Sequence, residues 1–502
     1  MTTALFLRLA LGAAVTLGAA GCSSDDKPSS SSGDDAADGD GDNADNSDTE
    51  DGDKTPTGGG KIDGGGKLDS GFKPDGGTPS TGGNKDGGKP QVSGDGGGDA
   101  PQTGNQGHGG PPVNGRVNLA IAPGTALDRA KGDTHPSAGF APPMGWNYYN
   151  IEGAKCRDGS QMGIFAHFGE DPEKLFVYFE GGGACANPGF CDLNPKNINE
   201  QFLTGGESAV ASLVILPAPQ SPNGTGVFDL ANENNPFKGW SQIYIPYCTG
   251  DVYSGTRTGV TIEGVAEKQN FYGADNTKKI IARLAATFKK DLKRFVAGGS
   301  SAGGFGAGIN FGAIQDTFSD AFGSVLLDAS PPFTNDFMPT CLQKRWRDTW
   351  GIDGNFPSDC GEQCRNAEGG NLFQIVDYWR EKYPKTNVAL ISGIHDEIIR
   401  LFYSLGNDSC KDYQADPPSL FIGTLGDTYP PDKFKMGLEQ LRTKYIDSKQ
   451  LATYYMDGFP NSTAHQSLFR ARFYENAAGA DKPTVAAFIK QWIDGAMTQV
   501  GP

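Results

Sequence analysis

Arg294-Phe-Val-Ala-Gly-Gly-Ser-Ser-Ala-Gly-Gly-Phe-Gly-Ala-Gly-Ile309 is the stretch on which the reading of this chain turns. Arg294 to Ala297 is a short β-rich run, Gly298 and Gly299 mark a sharp turn, and Phe305 to Ile309 is small and helix-compatible. Gly299-x-Ser301-x-Gly303 therefore fits G-x-S-x-G in the strand, turn and helix setting that the motif requires. So tight an elbow forces the serine into a strained backbone conformation, and side chains in place of the flanking glycines would strike the strand or the helix. A glycine turn that binds phosphate at a helix start is the competing reading. No Lys follows at the spacing of a phosphate-binding loop.

The alternation continues on both sides. Leu175–Phe179, Gln242–Tyr247, Ser324–Leu327, Asn387–Ser392 and Leu451–Met456 read as buried or half-buried strands. Ile280, Ile281, Leu284, Ala285, Phe288 and Leu292 recur at helical spacing behind Asp275 as a cap, and Val485 to Trp492 repeat the pattern near the end. Strands separated by helices imply an α/β fold with a mainly parallel central sheet covered by helices on both faces. Functional groups then belong on loops beyond the carboxyl ends of the strands. No repeat or second linker divides residues 116–502, which are expected to form one domain.

A serine hydroxyl needs a base to take its proton. Of the five His in the chain, only His395 and His465 follow Ser301. His465 lies just past the strand Leu451–Met456, at the start of what reads as a helical stretch, where the base of an α/β-hydrolase is expected. Its imidazole needs a carboxylate to fix the tautomer. Asp396 follows the strand Asn387–Ser392 through Gly393-Ile394-His395, and the order Ser301, Asp396, His465 is that of the hydrolases. Asp328, after Ser324–Leu327, is the rival acid; for Asp396 itself the plainer roles are a solvated loop carboxylate or a helix cap. Glu180-Gly-Gly-Gly-Ala-Cys185 follows another strand, so the backbone N–H groups of Gly182 and Gly183, with that of Ala302, are the candidate donors to an oxyanion. Tyr247, Tyr253, Phe402, Tyr403 and Tyr429 could line a cleft or simply fill the core.

Composition supplies the setting. Residues 23–115 hold 26 Gly and 18 Asp/Glu against 7 Lys/Arg, with almost no large apolar side chain, so this tract reads as a disordered linker. It carries most of the net charge of −17. Asp38, Asp40 and Asp42 imitate a calcium loop, but Asn43 and Thr49 stand where that loop needs Gly and Glu. The rest is only mildly acidic, which argues against a nucleic-acid partner. Residues 1–22 have one cation, Arg8, and an apolar stretch of signal-peptide length. Leu17-Gly-Ala-Ala-Gly-Cys22 resembles a bacterial lipobox, with Ala19 where Leu is usual, and makes Cys22 the expected lipidation site. The expectation is an exported monomer held by its lipid anchor at the outer membrane or cell surface. Cys156, Cys185, Cys191, Cys248, Cys341, Cys360, Cys364 and Cys410 suit up to four disulfides, with Cys185–Cys191 and Cys360–Cys364 as local pairs. A zinc site is the weaker alternative because no His or Cys pair completes it.

Several motifs together resemble the pectin acetylesterase family: Phe176-Val-Tyr-Phe-Glu-Gly-Gly-Gly-Ala-Cys185, Tyr247-Cys-Thr-Gly-Asp251 with Ser254-Gly255, Gly299-Ser-Ser-Ala-Gly-Gly304, Ala464-His465-Gln466, and Cys156-Arg-Asp-Gly-Ser160. The resemblance implies an α/β-hydrolase-like fold and a serine esterase without metal or cofactor. It further implies removal of acyl groups, acetyl foremost, from a polysaccharide such as pectin. On matching positions it places the nucleophile at Ser301, the acid at Asp396 and the base at His465. Ala184 stands where relatives commonly carry Trp, Ser462-Thr463 replaces a frequent cysteine, and the flanks of Asp396 differ. Longer acyl esters, or a non-catalytic binding role on the same scaffold, are the alternatives.

Overall fold

A computed structural model describes residues 116–202, 215–217, 221–411, 413, 429–445, 447, 449–457 and 465–502. Cys22, the linker 23–115 and Ser462-Thr463 lie outside these residues. The strands are β1 (Asn147–Lys155), β2 (Gln161–His167), β3 (Asp171–Phe179), β4 (Glu200–Phe202), β5 (Ile215–Pro217), β6 (Trp240–Ile245), β7 (Arg294–Ser300), β8 (Phe322–Asp328), β9 (Asn387–Gly393), β10 (Leu451–Met456) and β11 (Gln499–Val500). Nine of them form one sheet in the order β1-β2-β6-β3-β7-β8-β9-β10-β11, while β4 and β5 pair separately. From β6 to β11 every neighbouring pair in that order is parallel. Within this sheet only the contacts of β2, with β1 and with β6, are antiparallel, and the separate β4–β5 pair is antiparallel as well.

All six expected strands are present, although β6 stops at Ile245 and leaves Pro246 and Tyr247 in the following loop. Parallel strands buried on both faces read as continuous apolar runs, and that is why Leu175–Phe179 and Leu451–Met456 were legible. Successive side chains of a strand point to opposite faces. In β10 the hydroxyl of Tyr454 donates to Pro483 O, ahead of the helix Val485–Ile493, whereas that of Tyr455 donates to Leu438 O in the helix Pro431–Tyr445. Helices therefore cover both faces. The helix Gly273–Phe288 begins two residues before Asp275, so Asp275 lies in its first turn, where it favours the helix dipole, and is not its cap.

The helix Ala302–Thr317 behind the elbow is the most buried of all and contains five glycines. A Cβ at Gly306 would meet the ring of Tyr253, and one at Gly312 would overlap the ring of Trp379, so these glycines let large aromatics lie on the helix backbone. All eight cysteines of the folded region pair: Cys156–Cys248, Cys185–Cys191, Cys341–Cys410 and Cys360–Cys364. That accounts for both local pairs and removes the zinc alternative. Each bridge is typically worth ~2–4 kcal/mol.

Candidate functional site

Ser301 sits between the end of β7 and the first residue of the helix Ala302–Thr317, with φ 55° and ψ −126°. A serine at positive φ in this region is under strain, which persists only where the surroundings over-determine it. Here they do. Ser301 N–H donates to Asp328 O (2.8 Å), and Ser330 Oγ donates to Ser301 O (2.7 Å). A Cβ at Gly303 would overlap the carbonyl oxygen of Phe179, so the second glycine of the pentapeptide is demanded by the close approach of β3.

Asp396 follows β9 and is buried, 1% exposed. It is the N-cap of the helix Glu397–Ser404, accepting the N–H groups of Ile398 and Ile399 at 3.0 Å each through Oδ1. The same carboxylate holds His465, whose Nδ1 lies 2.8 Å from Oδ2 and 3.0 Å from Oδ1. The cap and the imidazole partner are thus one group. His465 is also 1% exposed, and its Nε2 has no hydrogen-bond partner among the described residues. No helix starts at His465; the next helical segment is the 3-10 turn Ala471–Tyr474. His395 is exposed.

The rival acid Asp328 does not bind the imidazole. Its Oδ2 accepts from Ser300 Oγ (2.7 Å), Ser467 N–H (2.7 Å) and Leu468 N–H (3.0 Å). The segments carrying Ser301 and His465 meet over Gly181, where a Cβ would lie 3.1 Å from Ser301 Cβ and 2.5 Å from Gln466 Nε2. Gly183 has φ 81°. The backbone N–H groups of Gly182, Gly183 and Ala302 donate to no acceptor among the described residues. The glycine loop is held through its carbonyls instead: Asn194 donates to Gly182 O and Tyr247 OH to Gly183 O (3.0 Å). Glu180, just before the loop, accepts Tyr247 N–H at 3.0 Å, and burial pushes its carboxyl up to about 8.

A small cavity of about 20 Å³ opens at this point, lined by Ser301, Ala302, Gly183 and Ala184 with Phe305, Trp346 and Phe402 among its walls. Phe402 and Tyr403 are the two sequence-flagged aromatics that line it. Tyr253 and Tyr429 instead anchor backbone carbonyls in the core, as Tyr247 does. Phe305 and Trp346 escaped the sequence reading because an aromatic at helical spacing carries no mark that separates wall from core; the departure at Ala184 was the one available hint.

Residues 146–366 match the family model described as Pectinacetylesterase. These residues form a pectinacetylesterase-family domain. The match holds the glycine loop and Ser301, whereas Asp396 and His465 lie beyond it. Among curated proteins, this chain is 27% identical over 173 residues to the palmitoleoyl-protein carboxylesterase notum2 of Xenopus laevis, covering 33% of this chain and 32% of that one. It is 25% identical to notum1a of Danio rerio, covering 48% of each. The chain thus spans from about a third to a half of the length of these relatives. Among solved structures, the Wnt deacylase Notum from Drosophila aligns over 69% of this chain and 92% of its own, with 18% identity and a TM-score of 0.46.

Proposed function

We propose that this chain is an exported serine carboxylesterase that removes short acyl groups, acetyl foremost, from a polysaccharide such as pectin. The observation that carries the reading is a strained Ser301, whose segment meets that of His465 over Gly181, together with a histidine whose Nδ1 is held by a buried carboxylate and whose Nε2 has no hydrogen-bond partner among the described residues, Ser301 Oγ included. The pectinacetylesterase match and the carboxylesterase relatives support ester hydrolysis. Four disulfides support export to an oxidising compartment, and the reading of Cys22 as a lipid anchor belongs to the same proposal.

In this mechanism Ser301 Oγ attacks the ester carbonyl carbon while His465 Nε2 takes its proton, and Asp396 keeps the remaining N–H on Nδ1. The carbonyl oxygen becomes an oxyanion that accepts from the N–H groups of Gly182, Gly183 and Ala302. The imidazolium then gives its proton to the departing alkoxide, leaving an acyl-serine. Water attacks the acyl carbon as His465 takes a proton from it, and collapse releases the carboxylic acid and restores Ser301. Fluorophosphonate treatment tests the reading. Labelling is expected at Ser301 alone and is expected to vanish in Ser301→Ala; a label elsewhere, or none, overturns the proposal.

Acyl length follows from the cavity. One water needs ~10–15 Å³ in this measure, so about 20 Å³ admits a methyl-sized group and little more. A longer chain must displace an aromatic wall, at a cost of ~1–3 kcal/mol in all. p-Nitrophenyl acetate is therefore expected to exceed p-nitrophenyl octanoate in kcat/KM by roughly 10²-fold. Equal or inverted values would assign the enzyme to longer acyl esters.

A further inference from the structure

Asp328 ends β8 with its side chain wholly buried, and its contacts are divided between two segments. On one side stands the elbow: Asp328 O accepts Ser301 N–H, and Oδ2 accepts Ser300 Oγ, which in turn accepts Tyr178 OH from β3 at 3.2 Å. On the other side the same Oδ2 accepts the N–H groups of Ser467 and Leu468, the second and third residues after His465. Oδ1 is buried without a partner among the described residues. One carboxylate oxygen therefore ties the strand that ends in Ser300, next to Ser301, to the loop that carries His465.

From these contacts we infer that Asp328 is a positioning residue: it sets the place of His465 relative to Ser301, and its negative charge helps hold the imidazolium formed during attack. The inference rests on the ester-hydrolysis reading above. A purely structural cap would be served as well by a neutral Asn oxygen, which could accept the same three donors without the cost of burying a charge. Burial does raise the Asp328 carboxyl above its ordinary range, opposed by those three hydrogen bonds and by His465. The charged and titratable groups around it are Tyr178, His465, Arg470 and Arg472, with Asp396 also close to Arg472 and across the imidazole. The site thus places a second carboxylate within electrostatic reach of one histidine.

The test is Asp328→Asn in the full chain, read by p-nitrophenyl acetate kinetics across pH, by melting temperature, and by fluorophosphonate labelling of the unmodified protein. The expected result is a kcat lower by about 3–10-fold with KM within about threefold, and an acid limb of the pH–rate profile displaced downward by roughly half a pH unit. The melting temperature should change little. An unchanged kcat and acid limb, or a kcat that falls only with the folded fraction, would overturn the inference. Should Asp328→Asn fail to fold, Ser300→Ala removes one tether and keeps the charge. It is expected to lower kcat by about 3–10-fold with no displacement of the acid limb, and wild-type kcat in that variant would also overturn the inference. Absence of label on Ser301 in the unmodified protein is a separate failure, that of the hydrolase reading itself.

Discussion

Replacing His465 with Ala is expected to lower kcat on p-nitrophenyl acetate by ~10⁶-fold, and Asp396→Asn by ~10⁴-fold, with KM changed far less in both. The histidine is the sole base available to Ser301 in the proposed mechanism, so its loss removes both proton transfers. The aspartate acts one step back. An Asn at 396 can still offer an oxygen to the N–H groups of Ile398 and Ile399, so the helix Glu397–Ser404 keeps its cap. Its amide cannot hold Nδ1 as the donor with comparable strength, and the imidazole is released to the tautomer that has its proton on Nε2, where the base must be empty. Asp396→Asn should therefore retain the melting temperature while losing turnover. Asp396→Ala should lose turnover and about 1 kcal/mol of stability as well, the usual worth of a cap. An Asp396→Asn protein within tenfold of wild-type kcat would remove Asp396 from the mechanism.

Glu180→Gln is expected to stabilise the protein at pH 9 by several kcal/mol and to have little effect near pH 4. Glu180 is 8% exposed between β3 and the loop after β6, and Tyr178, Tyr244, Tyr247 and Tyr253 surround it, with no cation in contact among the described residues. Desolvation moves its carboxyl from an ordinary 4.5 to about 8. Because the folded state holds this proton more tightly than the unfolded chain, the stabilising contribution is complete below about 4.5 and is lost as pH rises through about 8. At 1.36 kcal/mol per unit the full difference is on the order of 5 kcal/mol. Gln stays neutral, still accepts Tyr247 N–H, and avoids the loss. Denaturant unfolding of both proteins at pH 4 and pH 9, with the disulfides intact, measures it. An advantage for Gln that is the same at both pH values would contradict the assignment.

The parts of the fold that could be read in advance are those where one physical requirement dominates the residue choice. Strands buried on both faces must be apolar throughout, which exposed β3, β7, β8, β9 and β10 in the sequence. The elbow needs glycine wherever backbone meets backbone, as at Gly303 against Phe179, and that need wrote a motif. By contrast, β1 and β2 run Asn147-Tyr-Tyr-Asn-Ile151 and Gln161-Met-Gly-Ile-Phe165, and their alternation was too irregular to separate strand from loop. The triad order admits both Asp396 and Asp328, the one just past β9 and the other at the end of β8. Only the contacts show that one holds the imidazole and the other the two amides beyond it. The pocket walls were illegible for the same reason: Phe305 and Trp346 follow core spacing, and what makes them walls is the neighbouring Ala184, small where a large ring is common.

The five glycines of the helix Ala302–Thr317 have a consequence for how the molecule matures. Each lowers intrinsic helix stability by roughly 1 kcal/mol relative to alanine, so this segment cannot persist as a helix by itself. It takes shape only when Tyr253, Trp379 and the sheet have closed around it, and the strained backbone at Ser301 is assembled at the same moment. Under the proposed mechanism a half-finished chain would accordingly be chemically silent. Esterase activity would arrive with the completed architecture and serve as its report.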